Sequence, residues 1–356
     1  MTLLAYDDLR ITLPGMARPV LDGITLNVSA GEVVALVGES GSGKSVTARA
    51  ALGLFPAGAG IGGRVRVEGT DLVGADAAAL RDVRTSKASM IFQDPRAGIN
   101  PVRRIGDFLT ESLRRRSGWT KERANARAAE LLDAVGLPDP VRHLRQYPHE
   151  LSGGMLQRVM IAGALTADPR LLLCDEPTTA LDVSTQAEIM AILGRLQREH
   201  GLGMLLITHD VELAAAACDR IYVMYAGRIV ETATRTELFA TPRHPYTAGL
   251  LGSSPPLEGP VGRLAPIPGA PMGLLDSAPG CSFAPRCGFA QPGRCDQSPP
   301  PLLPHGPALV ACHRAGELTG PAGAPQPVTA GRAVTPDPPV LPVPSLLSAP
   351  SSEEDR

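Results

Sequence analysis

Residues 38–45 read Gly38, Glu39, Ser40, Gly41, Ser42, Gly43, Lys44, Ser45, with glycines, a lysine and a hydroxyl at the offsets of a phosphate-binding loop. A loop of this kind turns backbone N–H groups inward, and a helix starting at its end completes a nest for an anionic phosphate. Lys44 would reach β- and γ-phosphates as a compact point charge, and Ser45 would offer its hydroxyl to Mg²⁺. Only three of the 34 basic residues are lysine (Lys44, Lys87, Lys121), so lysine in this loop answers a geometric need. The bland alternative is a glycine-rich turn. It loses weight because the apolar run Val33–Val37 leads straight into the loop and SVTARAALGL reads as the helix that should follow.

LLLCDEP ends a hydrophobic run in two adjacent carboxylates, Asp175 and Glu176. Alone, such a pair is an ordinary solvated strand end. Beside a phosphate loop, Asp175 would orient the Mg²⁺ shell, while Glu176 would accept hydrogen bonds from an attacking water and polarise it. Cys174 reads as a small buried hydrophobe. In YPHELSGGMLQRV, Ser152, Gly153 and Gly154 stand at the expected start of a helix, a second anion site. One nucleotide does not need two such sites on one chain. They make sense if the second serves the nucleotide bound to another subunit; an ordinary helix cap is the alternative.

Several elements must position these groups. Before about Glu68, LRITL, ITLNV and RVRVEG alternate between punctuating glycines and Pro14, as antiparallel strands do. Val33–Val37, SMIF, LLLCD and GMLLIT are continuous rather than alternating, which suits strands buried on both faces, each with a polar residue at its C-terminal edge. From about Pro95 to Ala167 the pattern turns helical, one helix being capped by Thr120 and stopped at Gly136. IYVMYAGRIVE reads as a hairpin turning at Ala226 and Gly227.

The 356 residues allow about two domains. A composition of 44% hydrophobic and 20% charged residues suits a soluble protein, and the net charge of −2 argues against a nucleic-acid footprint over the whole surface. MTLLAYDDLRITLPG lacks the basic start and apolar core of a signal peptide, and no run approaches the roughly 18 apolar residues of a membrane span.

In order and spacing, GESGSGKS, MIFQDP, LSGGMLQRV, LLLCDEPTTALD and LLITHD resemble the Walker A, Q-loop, signature, Walker B with D-loop and H-switch motifs of ABC transporter ATPases, over roughly residues 3–245. The resemblance implies an α/β fold: a P-loop ATPase domain with a mixed-sheet core, an antiparallel β subdomain and a helical signature subdomain. It makes Gln93 a contact to Mg²⁺ and water that senses the membrane subunit, Asp182 the link between two nucleotide sites, and His209 a contact to the γ-phosphate. MIFQDPRAGINPVRRIG, RHPYTAGLL, LAPIPGAP and CSFAPRC further resemble the ATP-binding subunits of bacterial dipeptide and oligopeptide importers. That implies ATP hydrolysis driving uptake, a peripheral place on the cytoplasmic face of the inner membrane, two permease subunits, a second, related ATP-binding subunit, and an extracytoplasmic substrate-binding protein. Relatives handle nickel chelates or glutathione as well as peptides. A soluble ABC ATPase acting on DNA or ribosomes is the other alternative, but the chain has a single cassette and no sustained heptads. Leu13 stands where the family usually stacks adenine on an aromatic ring.

The expected organisation is an ATPase domain over 1–245 with its helical part at about 95–167, a C-terminal extension over 246–314, and a disordered Pro/Gly/Ala-rich tail over 315–356. The extension carries Cys281, Cys287, Cys295 and Cys312, spaced C-x5-C-x7-C-x16-C without the C-x2-C knuckle of common zinc sites. A reducing cytosol disfavours disulfides. Four thiolates on a segment too poor in apolar residues for its own core could fold it around a metal. The resemblance implies a [4Fe-4S] cluster; zinc and unliganded thiols are the alternatives.

Overall fold

The computed structural model describes residues 1–179, 181–253 and 266–318, with the backbone alone at 116 and 117. The chain lays down β1 (Thr2–Thr12), β2 (Leu21–Ser29), β3 (Val33–Val37), β4 (Gly60–Val67), β5 (Thr70–Asp71) and β6 (Ala88–Ile91). After a helical stretch come β7 (Leu171–Asp175), β8 (Gly203–Thr208), β9 (Arg220–Tyr225), β10 (Arg228–Thr234), β11 (Leu303–His305) and β12 (Ala308–Val310).

Two sheets result. The order β2-β1-β4-β5 is antiparallel, as the alternating N-terminal runs require. The larger sheet runs β11-β12-β10-β9-β3-β8-β7-β6, and its strands from β9 to β6 are parallel. Every residue of β3, β7 and β8 is buried, and the pleat divides them between two cores. Val33, Ala35, Val37, Leu172, Cys174, Met204 and Leu206 face a core shared with the signature helix and the C-terminal extension. Val34, Leu36, Leu171, Leu173, Leu205 and Ile207 face one shared with the antiparallel sheet. Burial on both faces is why these strands read as unbroken apolar runs.

The helical block separates β6 from β7, which are nevertheless neighbours in the sheet. Lys121–Ala134 begins where Thr120 accepts from Arg123 N, and Gly136 follows its end at φ +73°. The β9–β10 hairpin turns through Ala226 and Gly227, both at positive φ. The extension joins the large sheet: β12 pairs with β10, Glu231 opposite Val310. Ala315 is buried, and the Glu317 carboxylate pairs with Arg314 and Arg294, so packing reaches past the expected start of the tail. The remainder of that tail, from 319, and Leu264 and Ala265 of LAPIPGAP lie outside the described residues. Among the described residues no helix is long and apolar enough to cross a membrane.

Candidate active site

The phosphate loop leaves β3 and enters the helix Lys44–Ala50. Its path presses against the end of β9: a Cβ on Gly38 would lie 2.1 Å from the Met224 carbonyl oxygen, and Gly43 sits at φ +107° with Met224 and Leu21 side chains closing over it. Gly227 N donates to Ser42 O at 2.9 Å, so the hairpin turn also braces the loop. Lys44 is folded over the loop, its Nζ donating to Gly38 O at 2.7 Å and Glu39 O at 2.9 Å. Burial pushes its pKa down, while Glu176, Asp175 and Glu39 work in the opposite sense. Ser45 Oγ donates to Asp175 Oδ1 at 2.8 Å. The Asp175 carboxyl is raised by burial, with the Ser45 hydrogen bond partly offsetting this. A hydroxyl and an acidic oxygen thus meet at the loop's end, a donor pair that suits a hard cation such as Mg²⁺.

Glu176 follows at φ +48°, a left-handed conformation unusual for a residue with a Cβ, and its N–H donates to Ile207 O at 2.9 Å. Its carboxylate gathers three groups. Gln93 Nε2 donates to Oε2 at 2.8 Å, Thr179 Oγ1 donates to the same oxygen at 2.9 Å, and His209 Nδ1 lies 3.3 Å from Oε1. The His209 side chain is 61% exposed, leaving its other edge toward solvent. Lys44, Ser45, Gln93, Asp175, Glu176 and His209 therefore converge at the C-terminal edges of β3, β6, β7 and β8, where an open parallel sheet places its ligands.

The remaining motif residues form a separate group. Ser152 Oγ caps the helix Gly153–Leu165 by accepting from Met155 N at 3.3 Å. A Cβ on Gly154 would come within 2.8 Å of Thr185 Cγ2. Asp182 accepts from Thr185 N and Thr185 Oγ1, at 3.0 and 2.8 Å, and so caps the helix Val183–His200. These bonds hold its carboxyl below its ordinary range. The signature and D-loop motifs are thus braced against each other through Thr185. Leu13 is half-buried beyond β1, and Arg18 in the next loop donates to the carbonyls of Pro19, Ala226, Met272 and Gly273, tying the extension to this rim.

Cys281, Cys287, Cys295 and Cys312 line one small apolar pocket with His244, Phe283 and Phe289, and all four are free thiols. Burial raises Cys281, and pushes Cys287 and Cys312 each up to about 11, so without a cation these thiols stay protonated. Among the described residues, however, no three His, Cys, Asp or Glu are already disposed to hold a metal ion. The pocket brings four sulfurs together without closing them into a ligand set.

Spacing did not announce two contacts to the site. Thr179, in the TTALD run, was available from its closeness to Glu176. The contacts of Tyr246 and Arg286 to Glu39 were not, because 207 and 247 residues separate the partners.

Comparison with known proteins agrees with this geometry. Residues 21–179 match the family described as "ABC transporter", and 230–295 match "Oligopeptide/dipeptide transporter, C-terminal region". The oligopeptide transport ATP-binding protein OppD of Haemophilus influenzae is 45% identical over 281 residues, covering 79% of this chain and 87% of that protein. OppD of Mycobacterium tuberculosis is 49% identical over 289 residues, 80% of this chain, which spans about half (47%) of that longer relative. Among solved structures, the dimeric ATP-binding cassette MJ0796 bound to ADP and Pi superposes with TM-score 0.59 at 28% identity, covering 65% of this chain and 99% of that one. CbiO1 of Clostridium perfringens, part of the transporter complex cbiONQ, gives TM-score 0.59 at 27% identity over 67% of this chain and 91% of that one. A phosphate loop, two motif carboxylates and a matched C-terminal region on this fold place the chain in the ABC transporter ATPase family, in its oligopeptide/dipeptide branch.

Proposed function

We propose that the chain is an ATP-hydrolysing motor subunit of an importer for di- and oligopeptides. The observation that carries this is the convergence of Gln93, Thr179 and His209 on Glu176, next to the Ser45–Asp175 pair. The loop 38–45 cradles the phosphates with its backbone N–H groups, and Lys44 releases the Gly38 and Glu39 carbonyls to meet their charge. Mg²⁺, held by Ser45, Asp175 and Gln93, would neutralise charge on the β- and γ-oxygens. Glu176 accepts a hydrogen bond from the attacking water and polarises it. Gln93 and Thr179 fix the carboxylate's direction, and His209 turns its exposed edge to the γ-phosphate.

Ser152, Gly153, Gly154 and Asp182 act across a dimer, on the nucleotide of a second, related ATP-binding subunit. The dimeric cassette among the structural relatives supports this arrangement. Closing and reopening that dimer drives two separate permease subunits, supplied by an extracytoplasmic substrate-binding protein, with this chain peripheral on the cytoplasmic face of the membrane. Residues 1–245 supply the motor, its helical part at 95–167 meets the permeases, and 246–314 form the extension. The four cysteines hold a [4Fe-4S] cluster that orders the extension; four sulfurs on one pocket are a suitable donor set, and burial keeps competing water away.

Glu176→Gln tests the motor. In the assembled complex it should bind MgATP like the wild type while turnover falls by about 10²- to 10⁴-fold, because a general base acts only in the transition state. Equal turnover in the two proteins would remove Glu176 from this role.

A further inference from the structure

Arg286 lies between Cys281 and Cys287 in the extension, yet its side chain reaches the phosphate loop and is only 5% exposed. Nη1 donates to Glu39 Oε2 at 2.6 Å and Nη2 to Glu39 Oε1 at 3.0 Å, a bidentate fork. The guanidinium is held in turn: Nε donates to Pro268 O at 2.9 Å, and its plane lies 5.7 Å from the Tyr225 ring centre and 5.8 Å from that of Phe283. Glu39 is gripped at its backbone as well. Its N–H donates to Tyr246 Oη at 2.9 Å, and its carbonyl accepts from Lys44 Nζ.

The fork addresses an electrostatic problem. Glu39 is a carboxylate inside a loop shaped for polyanionic phosphate, one residue after the tightly packed Gly38. Left unpaired, it would repel the phosphates and compete with them for Lys44, which lies close enough to feel its charge. Arg286 neutralises that carboxylate and points it away along a fixed fork, where a lysine would supply charge without the two parallel bonds. Tyr225, Tyr246 and Phe283 pack as a cluster, ring centres 4.8–5.3 Å apart, so the arginine stands on a rigid base.

We propose that Arg286 is a positioning residue for nucleotide binding, through which the cysteine-bearing extension sets the affinity of the phosphate loop. This rests on the nucleotide role assigned to the loop above. It makes the extension part of the nucleotide site, and it means that whatever orders residues 281–287 is felt at Glu39.

The test is equilibrium binding of MgATP to the purified full-length chain, with thermal melting measured on the same samples. Arg286→Met should raise Kd about tenfold, because it strands the Glu39 carboxylate beside the phosphates. Adding Glu39→Gln should recover most of that loss, to within about threefold of wild type, since removing the charge removes the need for the arginine. A purely structural arginine would not be rescued this way: the double variant would bind as poorly as Arg286→Met, or worse. An unchanged Kd in Arg286→Met, or a double variant no better than the single, overturns the inference. Should Arg286→Met fail to fold, Arg286→Lys serves in its place, with Kd expected about threefold above wild type and a Kd equal to wild type counting against the proposal. Failure of the wild-type chain to bind MgATP overturns both this inference and the motor function; normal wild-type binding with an unaffected variant overturns this inference alone.

Discussion

The phosphate loop and the cysteine pocket are held by opposite means. The loop takes its shape from backbone: Gly38 and Gly43 pass where a Cβ would meet Met224, Gly227 N–H braces Ser42 O, and the Glu176 backbone is in a left-handed conformation. The pocket takes its shape from side chains. Phe283, 4% exposed, packs its ring against Tyr225, Tyr246 and His244, and this aromatic cluster stands in for the core that the Pro/Gly-rich extension lacks. A site that must present many N–H groups to one anion needs close backbone approach, which admits few residue types. A site that must hold thiols near one another needs only packed walls, which many sequences can build. The first is therefore marked by its spacing, and the second becomes visible only when the chain is folded.

Three substitutions can break or sharpen this contrast. Phe283→Ala removes the centre of the aromatic cluster and should cost about 3–5 kcal/mol in denaturant unfolding, with the loss concentrated in the extension. A change below about 1 kcal/mol would show that the extension does not depend on this ring. Gly38→Ala should cost less overall, about 1–3 kcal/mol, yet abolish nucleotide binding, because the new methyl displaces the loop from the Met224 carbonyl. If that variant binds MgATP like wild type, the close backbone approach is not what shapes the nest. Cys287→Ser should change the stability of the metal-free chain by less than about 1 kcal/mol, since a protonated thiol gives way to a hydroxyl of similar shape. After anaerobic purification the wild type should be brown and contain iron, and Cys287→Ser should lose both colour and iron. Zinc alone in the wild type, or unchanged iron in the variant, would exclude the cluster.

Much of the fold was legible because its signals are local. Val33–Val37, LLLCD and GMLLIT are continuous because both faces are buried; LRITL and RVRVEG alternate because they belong to the antiparallel sheet. The helix caps at Thr120 and Ser152 act within three residues of themselves. Harder to foresee was that Asp182, expected to join two nucleotide sites, also caps its own helix, or that β12 of the extension would extend the ATPase sheet beside β10.

The sequence alone determined the phosphate loop, the adjacent carboxylates and the signature motif, because each is a chemistry completed within about a dozen consecutive residues. Tertiary structure alone decided which carboxylate oxygens Gln93, Thr179 and His209 would share, that four distant cysteines would line one pocket, and that Arg286 would close on Glu39. The physical reason is that a backbone nest is specified by the conformations its own residues permit. A contact between side chains 247 positions apart exists only because two sheets and their cores bring those positions together, and no local preference encodes that meeting.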